Sequence, residues 1–421
     1  MDKNQYQTYT NILKQELIPA FGCTEPIAVA FAAAKAREVL GKMPEHLVVK
    51  CSGNIIKNIK GVIVPASGGL RGIAISALLG AVGGDASRGL ECLSAITDAQ
   101  RAQARQLETD GICDVELLEG VPNLDIIMEV RASDSTALVE VRNAHTNIAR
   151  IEKDGKLIYQ GEGHPVAEET DLSALTLADI LTFAETVPLE MVQSILENQL
   201  QCNLAIAEEG LNGTWGANVG KTLLKHLGDS WQVRAAAYAA AGSDARMAGC
   251  EMPVVINSGS GNQGMTASLP VYIYAQHIGA DREKLIRALT LSNLVALYQK
   301  NQLGKLSAYC GAVSAATGSG AAIAWLSGGD EVCIERAITN TIADVSGIVC
   351  DGAKSSCAAK IASSVFSAIM GYYMAADGNV FQPGEGLVGE TLADTVNSYT
   401  RMGRVGMAST DIAILNMMIG K

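Results

Sequence analysis

The chain has 421 residues, of which 48% are hydrophobic and 18% are charged, and its formal net charge is −12. A chain of this length exceeds what one hydrophobic core usually supports, so two domains are expected. The negative charge argues against a nucleic-acid partner and against an anionic membrane surface, because both attract clustered Lys and Arg.

No signal peptide is expected here, since the first residues of the sequence are polar and no apolar core follows them. A cytoplasmic location is therefore expected. Two stretches without Asp, Glu, Lys or Arg, at 252–280 and 306–329, are long enough to span a bilayer. Pro253 and Pro270 break the first, and the second is rich in Ser, Thr, Gly and Ala. We interpret both as buried parts of a soluble protein with no membrane partner.

The N-terminal part of the chain mixes helical and strand periodicities. Helical spacing covers 6–40, with a break at Pro19 and a new start at Thr24, and it returns over 73–107. Between these helices, β-rich runs surround a polar turn at Ser52-Gly53-Asn54. Further strands are predicted at 115–118, 125–131, 137–142, 147–151 and 156–159, the last two joined by the hairpin turn Lys153-Asp154-Gly155.

Beyond about residue 164 the strand signal disappears, and nearly every run from 180 onward has helical spacing. The polar, acid-rich passage over 161–179 suits a linker or a helix-capping segment. The prediction is an α+β fold, in which an N-terminal mixed α/β domain (1–165) packs on a larger, mostly α-helical domain (166–421).

Three of the ten cysteines, Cys310, Cys350 and Cys357, lie among small residues in the later helical part. Thiolates bind soft metals and iron–sulfur clusters. The spacing matches no short metal-binding pattern such as Cys-x-x-Cys, so a cluster site and ordinary packing both stay open from these residues alone.

Cys23 stands at the edge of a predicted helix start, Gly22-Cys23-Thr24-Glu25-Pro26. The helix dipole and free N–H groups favour a thiolate there, which could act as a base or nucleophile. A buried turn residue is the alternative interpretation.

Two polar, glycine-bearing loops, Ser52–Asn54 and Ser258–Gln263, expose backbone N–H groups that suit a carboxylate or phosphate. Tight turns between packed elements are the alternative. Gly259 to Gly264 spells Gly-x-Gly-x-x-Gly, but no βαβ unit surrounds it, so a dinucleotide site is excluded. Among the five histidines only His145 is placed like a site residue, and a structural role is expected for it.

Taken together and in this order, Gly22–Pro26, Ser52–Asn54, Ser258–Gly264 and the three cysteines resemble the L-cysteine desulfidase family. The chain is also similar to bacterial proteins grouped with the serine dehydratase α-domain. The resemblance spans nearly the whole chain.

The resemblance implies a 4Fe–4S cluster held by Cys310, Cys350 and Cys357, with one iron left for substrate. It implies α,β-elimination on L-cysteine to give sulfide, ammonia and pyruvate, with Cys23 as the candidate base. The substrate-binding residues would be Ser52, Gly53, Asn54, Ser258, Gly259, Ser260, Gly261, Asn262 and Gln263. A family of this size also allows a homodimer.

Several alternatives stay open beside this interpretation. The protein could be a serine dehydratase-like lyase acting on another β-substituted amino acid, a cluster-bearing sensor without turnover, or a zinc or cluster-free thiol protein. Iron–sulfur serine dehydratases carry a C-terminal cysteine that folds back toward the cluster, whereas this sequence ends Asn416-Met417-Met418-Ile419-Gly420-Lys421. That difference favours the desulfidase.

Overall fold

The computed structural model describes residues 1–161, 171–303 and 307–420. The strands are β1 (Pro19–Phe21), β2 (His46–Ser52), β3 (Cys113–Leu118), β4 (Asp125–Ala132), β5 (Ser135–Arg142), β6 (Ile148–Lys153), β7 (Lys156–Gln160) and β8 (Pro253–Val255). The helices are α1 (Lys3–Glu16), α2 (Thr24–Leu40), α3 (Gly53–Lys60), α4 (Ile73–Gly83), α5 (Asp98–Thr109), α6 (Leu177–Thr186), α7 (Gln193–Asn212), α8 (Val219–Leu227), α9 (Trp231–Met247), α10 (Gly261–His277), α11 (Arg282–Leu303), α12 (Ala312–Leu326), α13 (Glu331–Asp344), α14 (Cys357–Ala376), α15 (Leu392–Arg401) and α16 (Ala408–Ile419). This architecture confirms the predicted α+β class.

Six of the strands form one twisted sheet in the order β3-β2-β4-β5-β6-β7. Its neighbouring strands are antiparallel except β2 and β3, which run parallel and are connected through α3, α4 and α5. Along β2 the side chains of Leu47, Val49 and Cys51 are buried in alternation, because successive side chains of a strand point to opposite faces. Helices α2 and α4 cover this apolar face. The strands predicted over 115–159 are confirmed.

The predicted polar turn at Ser52-Gly53-Asn54 is instead the junction of β2 with α3. The β-rich run expected after it is helical, since Ile55 and Ile59 lie four residues apart and are both buried. Apolar residues at this spacing share one face of a helix. The prediction of a strand on that side was wrong.

The helices that follow the six-stranded sheet in the chain form the larger part of the molecule, which we call the helical body. At its centre, α12 packs against α10, α11, α13 and α14. Every residue from Ala312 to Ala324 is buried. Small side chains allow this close approach: a Cβ added to Gly318 would stand 2.3 Å from the carbonyl oxygen of Ser292 on α11. The burial of α12 confirms that the uncharged stretch at 306–329 contains a helix packed on all sides by protein. In the part of the chain described, no helix is both long and apolar enough to cross a bilayer.

The N-terminal segment joins the two parts of the molecule. Strand β1 pairs with β8 of the helical body, with Ala20 opposite Val254. Helix α1 packs on α6, where the rings of Tyr9 and Phe183 are 5.2 Å apart. The domain boundary proposed at 165/166 stays a prediction, because residues 162–170 lie outside the described part.

Candidate functional site

A short antiparallel contact between two loop segments brings Cys310 and Cys350 side by side. The backbone N–H of Cys310 donates to the carbonyl of Ile348 (2.8 Å), and that of Cys350 donates to the carbonyl of Ala308 (2.7 Å). Tyr309 forms the β-bridge with Val349 between them. Two cysteines far apart in the chain are therefore neighbours.

Cys357 joins this pair as the first residue of α14. The loop before it turns at Gly352, which has a φ of 92° and lies on the backbone of α3: a Cβ there would be 2.1 Å from the carbonyl oxygen of Lys57. Only glycine fits both the left-handed backbone and this approach. The Sγ–H of Cys357 donates to the Gly352 carbonyl (3.8 Å). The turn thus aims α14 and its first cysteine at the other two.

All three cysteines line one cavity of about 90 Å³ between the two parts of the molecule. By this measure the cavity has room for several water-sized groups. It is also lined by Cys23, Glu25, Asn58, Arg246, Ser260, Asn262, Gln263, Ser307, Tyr309, Gly311, Ala312, Gly352, Ala353 and Ile361. We call it the cysteine cavity.

The three thiols interact electrostatically. The pKa of Cys310 is raised to about 12, first by burial and then by the neighbouring Cys350 and Cys357, whereas the N–H of Ala312 and the Lys360 ammonium act in the opposite direction. Burial likewise raises the pKa of Cys357. Three thiolates together would repel each other unless a positive group stood between them.

The cysteine cavity has the donor set of an iron–sulfur site. Its three thiols lie beside the N-termini of α12 and α14, where backbone N–H groups favour negative charge. Lys360, whose Nζ donates to the carbonyl of Val349 (2.7 Å), adds a positive charge near the sulfurs. These residues fit a cluster carried by Cys310, Cys350 and Cys357. Within residues 1–161, 171–303 and 307–420, no group of three or more His, Cys, Asp or Glu has the arrangement expected around a single metal ion.

Cys23 faces the same cavity, but it is a thiol. It precedes α2 at the N-cap position and is 1% exposed. Burial raises its pKa well above the usual value, the negative charge of Glu25 raises it further, and Arg246 only partly opposes them. The prediction that the helix start favours a thiolate was wrong, because desolvation and a neighbouring carboxylate outweigh the helix dipole.

Glu25 accepts the proton of that thiol in a hydrogen bond. The distance from Cys23 Sγ to Glu25 Oε2 is 3.2 Å, and Thr24 Oγ1 and Asn58 Nδ2 also donate to the carboxylate, each at 3.1 Å. Burial by itself raises the pKa of Glu25, but His145 and Arg246 pull it below the usual value. Glu25 is therefore a buried, ionised carboxylate.

The predicted loop over Ser258–Gln263, which we call the glycine-rich loop, contributes three residues to the lining of the cysteine cavity: Ser260, Asn262 and Gln263. Asn262 Oδ1 accepts from Arg246 Nη1 (3.2 Å). Gln263 is buried against Gly311, and its Oε1 has no hydrogen-bond partner among the described residues. The predicted residues Ser258, Gly259 and Gly261 shape the loop: Ser258 and Gly259 have positive φ, and α10 begins at Gly261.

The other predicted loop lies at a second cavity of about 570 Å³, formed with the C-terminal helix α16. Ser52 Oγ donates to the carbonyl of Asn123 (2.7 Å), and Asn54 Nδ2 donates to Asp411 (2.9 Å). Gly53 touches Leu415. Ser307 lines both cavities. The structure thus places Ser52, Gly53 and Asn54 next to the cysteine cavity but not in its lining.

Comparison with known proteins decides the family. Residues 87–416 match the family model of the serine dehydratase alpha chain, which is more than half of this chain and includes all three cluster-site cysteines. The chain belongs to the serine dehydratase alpha chain family. This confirms the predicted relation to the serine dehydratase α-domain, and it leaves the substrate a prediction.

Relatives of this family member are similar along their full length. A UPF0597 protein of Lachnoclostridium phytofermentans is 50% identical over 415 residues, which cover 98% of this chain and 100% of that protein. A UPF0597 protein of Finegoldia magna is 46% identical over 419 residues, covering 99% and 100%. One from Treponema denticola is 41% identical over 430 residues, covering 100% and 99%.

Sequence reasoning about this serine dehydratase alpha chain relative missed Glu25, Asn58 and Arg246 as cavity residues. A signal existed for Arg246, because Asp244 and Arg246 interrupt a run of small residues in α9, where a charge must be buried and paired. Glu25 looked like an ordinary acidic residue in the first turn of a helix. Only the packing of α2 shows that it is buried.

Proposed function

We propose that this chain is an iron–sulfur lyase that eliminates the β-substituent of a small amino acid, with L-cysteine as substrate and sulfide, ammonia and pyruvate as products. The observation that supports it is the meeting of Cys310, Cys350 and Cys357 with Cys23 and the glycine-rich loop at one cavity. Membership of the serine dehydratase alpha chain family supports the reaction class.

Cys310, Cys350 and Cys357 would hold a 4Fe–4S cluster. Held by these three thiolates, such a cluster would supply a Lewis-acidic iron for the β-thiol of the substrate. The role of this chain around that group is to keep the three thiols at one cavity, with the Lys360 ammonium, which also pairs with Asp351, near the sulfurs.

The substrate carboxylate is proposed to bind at Arg246, Asn262 and Gln263. The Arg246 guanidinium lines the cavity and is held by hydrogen bonds to the Gly22 carbonyl (2.9 Å) and to Asn262. A guanidinium suits a carboxylate, and the buried Gln263 side chain lines the same cavity. Of the two predicted loops, the one over Ser258–Gln263 therefore carries this role.

Cys23 remains the proposed acceptor of the substrate α-proton, since it lines the wall of the same cavity. Loss of that proton and of the β-thiol as sulfide leaves an aminoacrylate, which hydrolyses to pyruvate and ammonia. General-base transfer of this kind contributes about 10²- to 10⁴-fold in rate.

Replacement of a cluster cysteine tests the proposal. After anaerobic reconstitution with iron and sulfide, we expect the wild type to show a broad visible iron–sulfur band and to form sulfide and pyruvate in equal amounts from L-cysteine. Cys350→Ala should lose both the band and turnover, because two thiols do not hold the cluster.

Cys202→Ala is the matched control, since Cys202 is half-buried on α7, away from the cavity lining. It should keep both signals. A normal band in Cys350→Ala would contradict the ligand assignment, and wild-type protein that takes up no iron would contradict the cluster itself.

The family match favours one second candidate, elimination of water from L-serine. The same residues would serve, because the β-substituent is the only difference between the substrates. Competition between L-serine and L-cysteine on the reconstituted enzyme separates the two: pyruvate formed without sulfide from L-serine, at the higher kcat/KM, would favour the dehydratase.

A further inference from the structure

The Cys23–Glu25 pair presents a problem for the proposed reaction. Cys23 faces the cavity as a thiol, and a thiol cannot accept a proton from the substrate. Its hydrogen, however, points at a carboxylate that stands 3.2 Å from the sulfur and lines the same cavity. The arrangement supplies the acceptor that the thiol needs.

We propose that Glu25 takes the proton of Cys23 and thereby makes it a base, so that the two side chains form one proton-transfer unit. The inference rests on the proposed lyase function and adds a residue with a defined role to it. Glu25 acts through Cys23, so it is a positioning and proton-accepting residue that need not touch the substrate.

The proton movements balance within the pair. Because the thiol and the carboxylate are the favoured forms of the pair, the Cys23 S–H bond breaks and an O–H bond forms on Glu25 as the substrate α-proton moves to the sulfur, with no change in net charge. The electron pair of the broken Cα–H bond becomes the Cα–Cβ double bond, and the β-sulfur leaves with the electron pair of the Cβ–S bond. The departing sulfide takes up the proton held by Glu25, which restores the pair.

The surroundings of Glu25 keep its carboxylate ionised. Two further donors, Thr24 Oγ1 and Asn58 Nδ2, hold the carboxylate in place. The charged and titratable groups that act on it come from three elements: Cys23 at its own helix start, His145 after β5, and Arg246 on α9. A buried carboxylate without such partners would be protonated and could not accept.

A role limited to helix stability does not explain this placement. An acidic side chain in the first turn stabilises a helix from an exposed position as well as from a buried one. Glu25 is 8% exposed, and its carboxylate carries hydrogen bonds from α3 as well as from its own helix. Burying a charge is unfavourable unless it is paired and hydrogen-bonded, and stabilising a helix start requires neither the burial nor these partners.

Glu25→Gln tests the inference in the reconstituted holoenzyme, because it keeps the shape of the side chain and removes its basicity. We expect kcat to fall about 100-fold or more while KM stays within about threefold and the iron–sulfur band is unchanged. Glu25→Asp, which keeps a carboxylate one methylene further back, should lose about tenfold.

Glu140→Gln is the matched control, since Glu140 is a buried carboxylate on β5 that pairs with Arg142 and Arg150, away from the cavity lining. It should keep wild-type kcat. Wild-type kcat in Glu25→Gln, or an equal loss in Glu140→Gln, would overturn the inference and leave the lyase proposal standing.

An infrared measurement on the chain without cluster gives a readout that does not depend on turnover. The S–H stretching band of Cys23, isolated as wild type minus Cys23→Ala, should lie at lower frequency than that of an ordinary buried thiol, because it donates to a carboxylate. In the Glu25→Gln background the band should shift upward. An unshifted band would overturn the pairing, whereas a wild-type holoenzyme without lyase activity would overturn only the proposed function.

Discussion

Charged side chains buried inside the helical body set the local chemistry of the cavity wall. Arg246 and Asp244 lie two positions apart on α9, and their side chains contact different parts of the molecule. Arg246 reaches the cysteine cavity, whereas Asp244 Oδ2 accepts the backbone N–H of Gly220 at the start of α8 (3.1 Å). Of these two charged residues, Arg246 therefore belongs to the candidate site, whereas Asp244 stabilises the start of α8.

Asp244 gives a prediction at the residue scale. Burial raises its pKa from 3.8 to about 6, although backbone N–H groups of α8 act against this. The native state therefore binds this proton more tightly than the unfolded chain does, so the free energy of unfolding increases as the pH falls from about 6 to 4. Above that range the ionised carboxylate lowers the free energy of unfolding by up to about 3 kcal/mol.

Asp244→Asn removes the titration. Urea unfolding at about pH 7.5 and about pH 4.5 should show that wild type gains about 1–3 kcal/mol relative to Asp244→Asn on acidification. Replacement of the exposed Asp229 by Asn should show no such change. A pH-independent difference for Asp244→Asn would contradict the assigned shift.

Helix α16 shows how an element can depend on one contact. None of its residues is fully buried, yet Asp411 forms an ion pair with Lys57 of α3, whose side chain is 1% exposed. Asn54 donates to the same carboxylate. The helix is therefore attached by a buried charge more than by an apolar face.

This attachment predicts an asymmetric effect of mutation. Asp411→Ala should lower the free energy of unfolding by about 3 kcal/mol, because it leaves a buried ammonium without its partner. Adding Lys57→Met should recover much of that loss, since an apolar side chain of similar length needs no partner.

Urea unfolding of the two single variants and the double variant measures the coupling. Asp98→Ala, which breaks the exposed pair with Arg101, is the control and should cost less than about 1 kcal/mol. A loss equally small for Asp411→Ala would contradict the buried pair.

At the scale of the whole molecule, the site belongs to neither part alone. Cys23, Glu25 and Asn58 come from the first sixty residues, whereas Arg246, the glycine-rich loop and the three cluster-site cysteines come from the helical body. The β1–β8 pairing and the packing of α1 on α6 hold these contributions together.

The β1–β8 pairing and the packing of α1 on α6 predict that the two parts of the molecule unfold cooperatively. Trp231 and Trp325 pack on the core of the helical body and Trp215 packs on the core that includes the sheet, whereas far-ultraviolet circular dichroism reports the backbone of both parts. Because β1 and α1 cannot leave the body without disrupting both cores, the two thermal transitions should coincide. A sheet signal that survives after the tryptophan transition would contradict this coupling.

The sequence by itself determined the class of fold, the start of α2 and the hairpin at Lys153–Gly155, whereas the three cysteines of the candidate site were singled out as cluster ligands only by the family resemblance. The first three features depend on local periodicity and on turn chemistry, which a sequence displays directly. The tertiary structure alone decided which loops meet: it placed Ser258–Gln263 at the cysteines and Ser52–Asn54 at the neighbouring cavity. It also decided that Cys23 is a thiol, because burial and the Glu25 carboxylate outweigh the local effect of a helix start. It decided as well that the buried Glu25 is ionised, because His145 and Arg246 lower its pKa.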